Sequence, residues 1–202
     1  MAINRFNDYG ETKAYGEYPS LPNDGYVLKI MGAEVCEGSN GQYVKIGCDI
    51  AEGEFKDFFA NDYRAQQTED KKWRCNYFLN VPKDDGTEQD GWTKRRFKTV
   101  IEAIEESNPG YHFDWDEKKF KGKLIGGLFN VKQYMANGNV VTIKNNIDQL
   151  VAVENIRKGK FNLPADKLLG TRNSSSTSPV ANNSSNGFMN IPDGIVEQLP
   201  FN

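Results

Sequence analysis

With 202 residues, a net charge of −3 and 38% hydrophobic residues, the chain suffices for one ordinary domain with extensions, and its overall charge points to no nucleic-acid partner. No apolar run nears the roughly 20 residues of a membrane span, and "MAINRFNDYG" lacks the apolar stretch of a secretory signal, so the expected location is the cytoplasm, with no membrane attachment. Cys36, Cys48 and Cys75 are odd in number and far apart, which argues against a disulfide framework or a zinc site and leaves them as small buried hydrophobes.

Residues 1–24 are polar and rich in Gly, Tyr and Pro, and read as an irregular arm. "GYVLKIMGAEVCE" (25–37) reads as a strand whose alternation breaks at Gly32, as at a bulge or sharp bend. "GSNG" is a hairpin turn, and "QYVKIGCDI" (42–50) is the return strand. Its period of two assigns Val44, Ile46, Cys48 and Ile50 to a buried face, and Tyr43, Lys45, Gly47 and Asp49 to the other. A long connection with four aromatics follows. "WRCNYFLNV" (73–81) is a third strand, with Cys75, Tyr77, Leu79 and Val81 on one side and Arg74, Asn76, Phe78 and Asn80 on the other.

"PKDDGTEQDG" reads as a loop, and "TKRRFKTVIEAIEESN" (93–108) as a helix. Phe97, Val100, Ile101 and Ile104 form its buried stripe, Thr93 is the expected N-cap, and "NPG" stops it. On this reading Lys94, Arg95 and Arg96 open the helix against its dipole, at a cost of about 0.3–1 kcal/mol each. "KGKLIGGLFNVKQYM" (121–135) is a fourth strand, "NG" a turn and "NVVTIK" (139–144) a fifth, which "DQLVAV" extends or follows. "ENIRKGKFNLPADKLL" reads as a short helix and a closing segment. Residues 171–190 are a Ser/Asn-rich linker expected to be disordered, and 191–202 an acidic and apolar tip.

The order strand, strand, strand, helix, strand, strand points to a mainly β domain over residues 25–170. It is the order of an OB-fold, a five-stranded β-barrel with a helix between strands three and four. Another small α+β sandwich is the competing architecture.

The sequence offers little for catalysis. There is one histidine, His112, with no Walker A spacing and no GxSxG elbow. Asp114, Asp116 and Glu117 crowd together next to Lys118 and Lys119 without a distant partner, and read as a solvated charge run rather than a metal-dependent nuclease centre. No cofactor, metal or catalytic residue is assigned, and the chain is not expected to be an enzyme.

Binding fits better. Residues 25–170 carry 22 basic and 22 acidic residues, but these are clustered, and local basic patches act even on a neutral domain. Tyr43, Lys45, Arg74, Asn76 and Phe78 on the open faces of strands two and three suit single-stranded nucleic acid, the alternative being that Tyr43 and Phe78 cap a second small core under the long connection. Bases stack on the rings at about 1–3 kcal/mol each while cations track the phosphates. OB-folds bind oligonucleotides on this strand two–three face, helped by the loops joining strands one to two and four to five. Phe58, Phe59, Tyr63, Arg64, Lys72 and Trp73 in the connection are candidate lid residues, and for Phe58 and Phe59 anchoring the loop to the barrel is an equal alternative. Lys94, Arg95 and Arg96 are candidate phosphate contacts at a helix start. Lys132, Tyr134 and Lys144 flank the "NG" hairpin.

An OB-like core, a polar tether and a tip ending "LPFN" resemble the plan of bacterial single-stranded-DNA-binding proteins, whose acidic tail recruits replication and repair enzymes. The resemblance assigns partner binding to Asp193, Glu197, Leu199, Pro200 and Phe201, although the tip has only two acids and Asn202 follows the phenylalanine. A tether of that length reaches about 25 Å. The core stretches "GEFKDFF", "WTKRRFKTVIEAIEESNPGYHFDWDEKKFKGKLIGG" and "ENIRKGKFNLPADKLL" resemble phage and prophage proteins of Gram-positive hosts. Their domain of unknown function is regarded as single-stranded-DNA-binding-like. The resemblance implies sequence-independent single-stranded DNA binding in phage replication or recombination, in the host cytoplasm, with homo-oligomers a possibility. A protein-interaction module that inhibits or modulates a host enzyme is the alternative.

Overall fold

The computed structural model describes residues 7–11 and 21–170. The chain divides into Met1–Thr171 and Arg172–Asn202. The linker, the tip and its Asp193, Glu197, Leu199, Pro200 and Phe201 therefore lie outside the described residues, as does most of the N-terminal arm.

The described chain is mainly β. Strands β1 (Gly25–Gly38), β2 (Gly41–Ile50), β3 (Asn76–Asn80), β4 (Leu124–Ala136) and β5 (Asn139–Val151) form one antiparallel sheet in the order β3-β2-β1-β4-β5. Helices α1 (Phe58–Ala65), α2 (Glu88–Ser107) and α3 (Val153–Arg157) and a 3-10 turn (Glu117–Phe120) complete it. The sheet is open: β3 and β5 are its edges. No helix among the described residues is long and apolar enough to cross a membrane.

The period of two in β2 is a burial pattern. Val44, Ile46, Cys48 and Ile50 are buried, and so are Cys75, Tyr77 and Leu79 beside them. They share one core with Leu28, Ile30, Ile125, Phe129 and Ile147 and with the α2 stripe Phe97, Val100, Ile101 and Ile104. The break at Gly32 is a register shift between Ile30 and Gly32, with Met31 left out of the pairing. Gly126 is imposed by packing, because a side chain there would meet Ile156 Cγ1 at 2.6 Å.

Three local expectations need correction, and one left open, the extent of β5, is resolved. First, α2 starts at Glu88, and its N-cap is Thr87, whose hydroxyl accepts from Asp90 N at 3.1 Å. Thr93 lies inside the helix and donates to Gln89 O. Glu88 and Asp90 occupy the first turn, in favour with the dipole. Lys94, Arg95 and Arg96 are a turn further in, so neither the expected penalty nor anion binding at the helix start applies to them. Second, β3 is shorter than expected, because the Asn76 side chain folds back to donate to Trp73 O at 2.7 Å. Third, β5 runs unbroken to Val151.

Fourth, the connection after β2 contains α1, and Asp49 is buried rather than outward. No side chain of α1 caps its own start. Instead the Asp49 carboxylate accepts from Phe59 N at 3.0 Å, Ala60 N at 3.1 Å and Ile50 N at 2.9 Å. One carboxylate thus ends β2 and opens α1, satisfying donors that would otherwise be orphaned. Burial raises its pKa above the usual 3.8, against the lowering by these backbone donors.

Asp49→Ala should cost about 2 kcal/mol in urea denaturation by leaving buried N–H groups unpaired. The folded state holds the Asp49 proton to higher pH than the unfolded chain does. Its contribution to stability should therefore decline as pH rises from 3.8 through the raised value. An Asp49→Asn variant should lack that decline.

Candidate nucleic-acid interface

The strand registers generate a three-by-three grid on the outer face of β1, β2 and β3. Its rows are Gly32–Gly47–Asn76, Glu34–Lys45–Phe78 and Cys36–Tyr43–Asn80. On β2 and β3 the inner-face neighbours Val44, Ile46, Tyr77 and Leu79 are buried, so the grid side chains of these strands point away from the core. Phe78 is 55% exposed, and its ring meets Tyr43 edge-on at 5.8 Å. Phe78 thus stands exposed on the edge strand β3, with the half-buried Tyr43 of β2 beside it.

Trp73 and Arg74 lead into β3. The Trp73 indole N–H donates to Cys48 O at 2.9 Å, which fixes the ring. Tyr63 of α1 lies 5.8 Å from it, with Lys71 5.9 Å over the Tyr63 ring. Met31, Trp73, Lys45 and Asn76 border a shallow groove of about 330 Å³ above Gly32 and Gly47.

The cations here are paired. Lys45 bonds Glu34 at 3.0 Å, Arg74 bonds Asp62 at 3.1 Å, and Lys72 lies 3.3 Å from Asp70. The Glu34 hydrogen bond raises the Lys45 pKa, so the ammonium stays charged. The Tyr43 phenol is also pushed above 10.0, first by the charge Cys36 would carry, and stays neutral. Exposed pairs of this kind contribute about 0–1 kcal/mol, so a phosphate can displace them.

The structure therefore gathers Tyr43, Lys45, Tyr63, Trp73, Arg74, Asn76 and Phe78, with exposed Arg64 and Lys72 beside them. It removes Phe59, which is buried and stacked on Phe129 at 6.2 Å. Phe58 is half-buried between Phe55 and Phe59. Phe59 anchors α1 to the core, because a helix lying on the sheet must bury its apolar side, and it offers no face for a base, whereas Phe58 packs against the core but stays partly exposed.

The α2 cations go elsewhere. Lys94 pairs with Asp84 and lies 3.3 Å from Asp90. Arg95 stacks over Trp92 at 4.4 Å. Arg96 donates to Tyr77 Oη at 3.0 Å and to Asp148 O at 3.4 Å, so it bridges the edge strands β3 and β5 across a gap of about 390 Å³. Lys132, Tyr134 and Lys144 are exposed on the β4–β5 hairpin. Among the described residues no hydrogen bond, ion pair or ring contact joins them to the grid.

Sequence reasoning missed the groove and two exposed tryptophans, Trp92 at 59% and Trp115 at 80%. The signal for the groove was present: counting back from the "GSNG" turn brings Gly47 opposite Gly32.

Cys48 and Cys75 are buried, and burial pushes the Cys48 thiol up to about 12 and Cys75 well above 9.0, so neither is a thiolate. Asp114 pairs with Lys119, and Asp116 accepts from Lys118 N at 3.1 Å. Among the described residues no group of three His, Cys, Asp or Glu could hold a metal ion. No protein-family model matches the chain, and no curated protein matches it.

Phe78→Ala should change stability by about 1 kcal/mol or less, the worth of an exposed aromatic pair. Tyr77→Ala, one residue away but buried, should cost about 3 kcal/mol or more. Urea denaturation of both variants checks which face of β3 is free.

Proposed function

We propose that this protein binds single-stranded DNA, in the replication or recombination of a phage, through the outer face of β2 and β3. The observation that carries the proposal is the Tyr43–Phe78 ring pair, with Phe78 exposed and Tyr43 half-buried, flanked by Lys45, Trp73 and Arg74. Bases stack on the two rings and on Trp73, and phosphates exchange with the carboxylates that now hold Lys45 and Arg74. Stacking does not distinguish bases, so recognition over most of the strip is independent of sequence.

We further propose that the sheet is an opened OB-type barrel. Its support is the strand order β3-β2-β1-β4-β5, the helix between β3 and β4, and Arg96 reaching from α2 to both edge strands. In that architecture the β2–β3 face and the β4–β5 hairpin are the usual oligonucleotide contacts, which gives Lys132, Tyr134 and Lys144 a secondary role at the end of a bound strand.

The pairing of Lys45, Lys72, Arg74 and Lys94 with carboxylates favours a second reading, a protein-interaction surface that ignores nucleic acid. One titration separates the two. Fluorescence anisotropy with labelled oligo-dT at low salt should show binding that weakens as salt is added. Replacing Phe78 and Arg74 together by alanine should reduce affinity at least tenfold, about 1–3 kcal/mol for one lost stack alone. Replacing Lys167, which is paired with Asp148, should change it little. No binding to single strands at low salt leaves the protein-interaction reading.

We propose in addition that the tip around Leu199, Pro200 and Phe201 is a tethered peptide ligand for replication or recombination proteins. Deleting residues 199–202 should leave oligo-dT affinity unchanged and abolish capture of such partners in pull-downs. Equal capture with and without the tip contradicts the assignment.

A further inference from the structure

Arg96 spends its fork on a neutral partner. Its Nε and Nη2 both donate to Tyr77 Oη, at 3.1 and 3.0 Å, and Nη2 also reaches Asp148 O at 3.4 Å. A guanidinium fork is matched by a carboxylate or a phosphate, which take two charge-assisted bonds from it. Among the described residues Arg96 forms no ion pair, and its Nη1 has no acceptor.

Tyr77 is 3% exposed, and the two Arg96 contacts occupy both lone pairs of its phenol oxygen. Its own O–H proton has no acceptor among the described residues. A buried donor without an acceptor is destabilising, so this one points to a group from outside the chain.

Arg96 and Tyr77 line the gap of about 390 Å³ between β3, α2 and β5, together with Asp148 and Lys167. Lys167 is paired with the Asp148 carboxylate, so these two charges cancel and Arg96 leaves the lining with a net positive charge. Lys167 keeps two of its three protons, and Asp148 keeps Oδ2 as the one uncommitted carboxylate oxygen. Thr99 and Gln149 add neutral groups. The charged groups of the lining therefore offer more free donors than acceptors, and the donors come from α2, β3 and the closing segment.

We propose that this gap binds a phosphate group, held by Arg96 Nη1 and the Tyr77 hydroxyl with Lys167 beside them. A tetrahedral oxyanion presents acceptors on several sides at once, which suits donors on three separate elements. A carboxylate presents its lone pairs in one plane. Tyr77 belongs to the inner face of β3, so the site lies on the far side of that strand from Phe78 and is separate from the stacking strip. The phosphate is either a free ion or one carried on a nucleotide. Once bound it ties α2 and the closing segment to both edges of the sheet. The inference stands apart from the strand-binding reading.

The test is the melting temperature of the full chain with inorganic phosphate, acetate, dTMP or thymidine, at one ionic strength made up with chloride. Phosphate at roughly ten times its Kd should raise it by about 3–6 °C. Acetate and thymidine should not. Arg96→Gln should abolish the shift. Tyr77→Phe, which keeps the buried ring and removes only the hydroxyl, should at least halve it, each variant being measured from its own baseline. Lys45→Gln, on the strip, should leave it intact. A larger shift with dTMP than with phosphate assigns the site to a nucleotide-borne group, and equal shifts assign it to the free ion. No shift with either one overturns the proposal. So does a shift that survives in both Arg96→Gln and Tyr77→Phe, or one that acetate or thymidine reproduces.

Discussion

The register between β2 and β3 is set by what lies beneath them. Val44, Ile46 and Cys48 on one strand and Tyr77 and Leu79 on the other must all reach the core. A slip of one residue would turn every one of them to solvent. That requirement pairs Lys45 with Phe78 and brings Tyr43 within ring contact of Phe78. The outer face inherits its geometry from the inner one, and the aromatic strip needs no further device to hold it. The Asp49 carboxylate extends the same logic, since it ends β2 and starts α1 at one point and so carries Tyr63 to Trp73.

The inner face was legible in the sequence because alternation in "QYVKIGCDI" and "CNYFLNV" reports burial directly. The α2 stripe and the irregularity at Gly32 were legible for the same reason. The misreadings came from long-range or competing signals. The cap of α1 comes from Asp49, ten residues before Phe59 and on another element. The start of α2 was hidden by Gly91, which reads as a loop residue although Thr87 and Asp90 stand at the spacing of a cap. Phe58 and Phe59 carry the composition of a binding lid, but the core claims them first, and composition does not encode that priority. Lys94 and Arg96 likewise read as free cations until α2 was extended by a turn and a half and their carboxylate and phenol partners came into reach.

Electrostatics gives the proposed interface its character. The domain is neutral across residues 25–170, and Lys45, Lys72 and Arg74 beside the aromatic strip sit in exposed ion pairs. Such a surface exerts little long-range attraction on DNA. On the proposed function it would bind through short-range stacking on Tyr43, Phe78 and Trp73, with phosphate contacts made by exchange. A groove with a bare glycine floor beside that strip suits the same mode, in which flat bases approach the backbone closely.

The most direct measurement is an amide and indole chemical-shift map of the full chain as oligo-dT is added. The account requires the largest changes at the backbone amides of residues 43–47 and 74–80 and at the Trp73 indole N–H. Changes confined to α2 or to the β4–β5 hairpin, or no changes at all, would contradict it.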